Sequence, residues 1–112
     1  MKTRPTLLAA LLPCATWCVA APAPAAAPGP DARALGMAEA YQRYCVKVDP
    51  QAAASLQQQV DRLTLGTPAA AMAGIRARQA YRKAYDSVTD FVAKVDARNA
   101  RKPCAQALAL HW

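Results

Sequence analysis

From Asp31 onward, apolar side chains return every three or four positions, and no stretch of useful length alternates as a half-buried strand would. Ala34, Ala38, Tyr41, Cys45 and Val48 form one such stripe, widened by Leu35, Met37 and Tyr44. Asp31 stands where a side-chain oxygen can cap the first free amides, so the pattern predicts a helix from there to Val48. Asp49 and Pro50 end that helix and begin the next: the carboxylate caps new amides, and proline at the first helical position lacks a donor that would go unused there. The second helix runs to Leu65, with Ala53, Leu56, Val60 and Leu63 inward and Gln57, Gln58, Gln59 and Asp61 outward. Gly66 reads as a left-handed stop, and Thr67 with Pro68 repeats the cap-then-proline start.

The longest stripe belongs to the third predicted helix. Gly74, Ala77, Tyr81, Ala84, Val88, Phe91 and Val95 alternate steps of three and four, the seam of a helix packed lengthwise against neighbours. Small residues at its beginning would let the second helix approach closely. It would run for roughly 30 residues to the break at Pro103, against roughly 16 for its partners, so it should bend near Gly74 or project beyond them. Arg82 with Asp86 and Asp90 with Lys94 sit at the spacing of surface ion pairs, which contribute about 0.3 to 0.5 kcal/mol each. Cys104 to Trp112 is either a last short helix or an ordered tail. The fold class expected is all-α: an antiparallel up-down-up three-helix bundle with a long third helix.

What precedes residue 31 changes the compartment. "MKTRPT" carries Lys2 and Arg4, "LLAALLPCATWCVA" is a mainly apolar run, and "APAPAAAPGP" supplies small residues and prolines, the order of a secretory signal peptide. A membrane span needs about 20 apolar residues, and this run is shorter and holds Pro13. Residues 1–20 are therefore expected to be a signal peptide, with cleavage as late as residue 25. Residues 21–30 follow as a disordered Pro/Ala-rich leader, and 31–112 form the helical domain. Lipidation at Cys14 or Cys18 would need a small residue just before the cysteine, where Pro13 and Trp17 stand. The exported chain then carries no integral membrane span and is periplasmic or secreted.

Export also leaves two cysteines, Cys45 and Cys104, in an oxidising compartment, where a disulfide is the simplest outcome. In an up-down-up layout the end of helix one and the end of helix three lie at the same end of the domain, so topology alone lets the two meet. The bond would close a loop of 59 residues (104 − 45), which the chain-entropy model values at about 4 kcal/mol. That matters for a domain with 20 alanines after residue 30, whose core alone supplies about 3 to 5 kcal/mol. The alternatives find little support. No C-x-x-C or C-x-x-C-H occurs, and two sulfurs with His111 fall short of a four-ligand zinc shell, so neither metal nor cofactor is expected.

Charge and chemistry narrow the function only to a class. The full chain has 14 basic and 7 acidic residues; loss of Lys2 and Arg4 leaves 12 − 7 = +5. Outside the cytosol such a balance favours lipid head groups, lipopolysaccharide or an acidic protein over nucleic acid. Glu39 is the single Glu, and no G-x-S-x-G, H-E-x-x-H or glycine-rich phosphate loop is present. "RARQAYRKAY" at 76–85 interleaves Arg76, Arg78, Arg82 and Lys83 with Tyr81 and Tyr85. Guanidinium groups beside aromatic rings can grip phosphates, carboxylates or sugars. The plainer account makes the tyrosines core-edge residues, packed against Tyr41 and Tyr44, and the cations a solvated face. "ALALHW" is a docking tail anchored by Trp112 or a cap packed over the disulfide end.

Small secreted chorismate mutases resemble this chain in size, helicity and cationic character, but their long helix comes first whereas here it comes last. A mutase-type pocket of converging Arg and Tyr would be completed across a homodimer. The expectation is an envelope binding or adaptor protein using the basic, tyrosine-containing face of helix three. The alternatives are a cationic binder of anionic lipid or lipopolysaccharide surfaces and, third, a mutase-type enzyme.

Overall fold

A computed structural model describes residues 29–110, Trp112 and the isolated Thr3. The expected signal peptide and leader lie outside the described residues, except for Thr3, Gly29 and Pro30; Pro30 is buried. The described chain is all-helical, with five α-helices: α1 (Ala32–Val48), α2 (Pro50–Thr64), α3 (Ala69–Arg76), α4 (Gln79–Ala93) and α5 (Lys102–Ala109), and a 3₁₀ turn at Ala97–Asn99. Among the described residues no helix is long and apolar enough to cross a membrane.

The first two helices begin and end where local chemistry places them. The Asp31 carboxylate accepts from the amides of Arg33 at 3.4 Å and Ala34 at 3.3 Å. Asp49 closes α1 with its own amide on the Cys45 carbonyl, and its carboxylate accepts from Ala52 to open α2 behind Pro50. Gly66 stops α2 with φ at +77°, a region open to glycine at little cost. The cap expected of Thr67 is not made: Pro68 is the N-cap of α3, without a side-chain hydrogen bond.

The long third helix is not a single element. It divides at Ala77 and Arg78, three residues beyond the expected bend, where Arg78 takes an extended backbone (ψ 144°). The break lets Met72 and Ile75 of α3 turn onto the lower end of α1, beside Ala32, Leu35 and Ala38, while α4 sets off along α1. Of the expected seam, Ala84 and Val88 are buried and Tyr81 and Val95 half-buried, whereas Gly74, Ala77 and Phe91 are exposed. Val92 replaces Phe91 in the core, continuing the four-residue step from Ala84 and Val88. The helix ends at Ala93, ten residues before Pro103, and Pro103 lies in the first turn of α5. Five helices thus stand where three were expected.

Helix α1 is the centre of the packing. α2 runs antiparallel on one side and α4 parallel on another, and these two scarcely touch each other. Seven α1 residues are buried, namely Ala32, Leu35, Gly36, Ala38, Ala40, Tyr41 and Cys45; five of them are Ala, Gly or Cys, small enough to admit neighbours from several directions. Gly36 marks the closest approach, since a Cβ there would overlap the backbone carbonyl of Tyr81 and press on Ala84. At the upper end Cys45 is bonded to Cys104, with Cα atoms 5.8 Å apart. Both sulfurs are fully buried among Ala52, Ala53, Leu56, Val92 and Ala107. The Tyr44 hydroxyl donates to the Ala100 carbonyl at 2.7 Å, fixing the segment that leads into α5. From Cys104, α5 descends against α2 and α1, and Trp112 packs on Tyr41 with ring centroids 6.4 Å apart.

The same substitution should have opposite signs at two glycines. Gly36→Ala forces α1 and α4 apart and should destabilise by about 1 to 3 kcal/mol, as overpacking does. Gly74→Ala meets nothing within 4 Å and should stabilise by about 0.5 to 1 kcal/mol through the unfolded chain and helix preference. Urea unfolding midpoints followed by circular dichroism check both.

Candidate functional site

The cation-and-tyrosine segment that the sequence singles out is divided by the fold. Arg76, in the last turn of α3, forks onto Glu39 of α1, with Nε to Oε1 at 2.9 Å and Nη2 to Oε2 at 3.1 Å. Tyr81, at the start of α4, donates its hydroxyl to the same Oε1 at 3.1 Å. One carboxylate therefore ties three helices together at the break between α3 and α4. The hydrogen bonds to Glu39 hold Arg76 above the ordinary guanidinium value. Burial, followed by the charge and hydrogen bond of Glu39, pushes the Tyr81 phenol up to about 12, with Arg76 opposing. Tyr85 sits one turn above, its ring 5.9 Å from that of Tyr81, and its hydroxyl accepts from Arg43 of α1 at 3.2 Å.

Arg78, Arg82 and Lys83 are left on the outside. Arg76–Glu39 is the one ion pair among the described residues, so neither Arg82 with Asp86 nor Asp90 with Lys94 makes the expected pair. The structure thus brings Arg76, Tyr81 and Tyr85 into contacts within the fold and leaves the other three candidates exposed to solvent. Of the expected tyrosine packing, Tyr44 and Tyr85 lie at the edge of the upper cluster that holds Tyr41, while the Tyr41 ring meets Trp112 and the Tyr44 hydroxyl bonds to Ala100.

Beside these cations runs a groove that the sequence did not disclose. It lies between the parallel helices α1 and α4, has a volume of about 440 Å³, and is lined by Met37 and Tyr41 on one wall and Val88 and Phe91 on the other, with Arg33 and Lys83 on its rim. Phe91 remains 48% exposed there, one of the few large apolar side chains open to solvent. Its place on α4 could be found in the sequence, but its exposure depends on how α4 is rotated about its axis. Among the described residues no group of three or more His, Cys, Asp or Glu could hold a metal ion.

Among the described residues the fold is all-helical and closed by one disulfide, with an exposed cationic helix beside an open apolar groove. No family model, curated protein or solved structure matches the chain.

The Tyr81 arrangement has a pH signature. The folded protein holds this proton above the ordinary phenol value of 10.0, so its contribution is fully present below that value and is lost as pH rises toward about 12. Stability should fall across that window, and less steeply in Tyr81→Phe. Burial also raises Tyr41, so part of the slope should persist in the variant. Urea midpoints across the alkaline range, with tyrosinate absorbance as a second signal, measure this.

Proposed function

We propose that the chain is an exported binding protein of the bacterial cell envelope, periplasmic or secreted, which holds an anionic partner against the outer face of α4. The observation that carries this reading is the set Arg78, Arg82 and Lys83: exposed cations within two helical turns, none engaged in an ion pair among the described residues. Charges left unpaired by their own fold keep their field for a partner. Export is supported by the order of charged, apolar and small residues at the N-terminus, and by a buried disulfide of the kind that persists outside the cytosol. We regard the exported domain as an up-down-up bundle of α1, α2 and α4, to which α3 and α5 are added. Arg76 and Tyr81, which a mutase-type pocket would have to offer a substrate, are engaged by Glu39.

A second reading, adsorption to anionic lipid or lipopolysaccharide, draws on the same exposed cations and the net charge of +5 counted above. The two separate by experiment. Arg78→Glu combined with Arg82→Glu should abolish recovery of a specific protein cross-linked in the intact envelope while leaving the helical circular dichroism unchanged. Unchanged recovery would remove the proposed face. Sedimentation with liposomes that depends on both salt and anionic lipid content would favour the surface reading; sedimentation indifferent to both would exclude it.

A further inference from the structure

The groove between α1 and α4 is electrically lopsided. Gly36 lies against Tyr81 and Ala84 and the two helices run parallel, so Arg33 and Lys83 stand near the lower end of the groove. Met37 stands level with Lys83, and above them the walls carry Tyr41, Ser87, Val88 and Phe91; no carboxylate lines the groove. The carboxylates nearest along the chain leave both cations unpaired: Asp31 accepts from the first amides of α1, and Asp86 makes no ion pair among the described residues. From Lys83 to Phe91 the helical rise is about 12 Å, the reach of a medium-length alkyl chain. A volume of about 440 Å³ falls within the range of small-molecule sites.

We propose that this groove binds a single-chain anionic amphiphile, a free fatty carboxylate, with its head group between Arg33 and Lys83 and its chain along Met37, Tyr41, Val88 and Phe91. The asymmetry decides the occupant. An acidic amphipathic helix would place carboxylates along its whole length and call for cations at both ends of the groove. A bilayer would be met by apolar side chains projecting from a convex face, whereas these line a recess. A carboxylate with one alkyl chain matches a cationic end joined to an apolar run. The proposal rests on the reading of the chain as a binder of anions; it shares Lys83 with the outer face of α4 and otherwise uses different residues, so the Arg78 and Arg82 variants separate the two.

The test is titration calorimetry of the exported protein with sodium dodecanoate below its micellar concentration, paired with carbon NMR of a carboxyl-labelled sample. Binding should be one to one, and the carboxyl resonance should shift. Dodecanol and dodecyltrimethylammonium should bind at least about tenfold more weakly, the scale of one lost hydrogen bond to a charged group. Arg33→Glu with Lys83→Glu should weaken dodecanoate at least about tenfold for the same reason. Phe91→Asp, at an exposed position, should weaken it while preserving the helical spectrum. Arg78→Glu with Arg82→Glu should leave dodecanoate binding intact, so failure of the outer face and failure of the groove are distinguishable. Absence of dodecanoate binding would overturn the proposal, as would equal affinity for dodecanol or affinity unchanged in the groove variants. So would preference for phosphatidylglycerol vesicles or for an acidic amphipathic peptide over monomeric dodecanoate, and so would dimerisation abolished by Phe91→Asp.

Discussion

The covalent link between Cys45 and Cys104 is the constraint on which the rest of this architecture depends. It joins the last turn of α1 to the first turn of α5 across 59 positions and lies wholly within the core. Without it the upper cluster would be held by four alanines, Tyr41, Leu56 and two valines, with larger side chains such as Tyr44, Tyr85 and Trp112 only partly buried around them. With it, α5 is fixed over the seam between α1 and α2, and the chain beyond it returns far enough for Trp112 to cover Tyr41. The Tyr44 hydroxyl on Ala100 holds the approach to that link from the other side.

The lower half is held differently. There a carboxylate fork, a phenol and a glycine crossing take the place of the disulfide, and all three meet where α3 gives way to α4. Glu39 is engaged by Arg76 and Tyr81 at once, and three residues earlier on the same helix Gly36 lets the Tyr81 backbone press against α1. The geometry that puts α4 so close below leaves it parallel to α1 above, with α2 too distant to fill the space between them. The groove results from that combination. A central helix of small residues can accept neighbours all round, but only some of its sides are covered.

What could be read in the sequence was what short-range chemistry decides. Asp31, the Asp49 and Pro50 hand-over, and Gly66 act on amides within a few residues, so their effects are written locally. The cysteine pairing followed from the directions of the helices and survived the division of the third one, because α4 still rises alongside α1. The break at Arg78 carries no glycine or proline and has its origin in the burial of Met72 and Ile75 against a helix some forty positions away. Phe91 and Val92 are adjacent and both apolar, so periodicity could not choose between them; the Cys45 cluster did. Glu39 looked like an isolated acid on α1, and its partners lie 37 and 42 residues along the chain. The cationic segment is legible in the sequence as a concentration of charge. Which of its members face outward was set by that distant carboxylate.

The functional reading draws on both halves: a scaffold rigid enough to hold α4 in place, and cations that the scaffold itself does not neutralise. Its foundation is tested by the unfolding free energy of the disulfide-bonded protein before and after selective reduction of Cys45–Cys104, measured in urea at constant pH. Closing a loop of this length is worth about 4 kcal/mol in the chain-entropy model, so reduction should lower the unfolding free energy by that order, with the midpoint falling accordingly. An unchanged midpoint, or two free thiols in protein purified without reductant, would contradict the account.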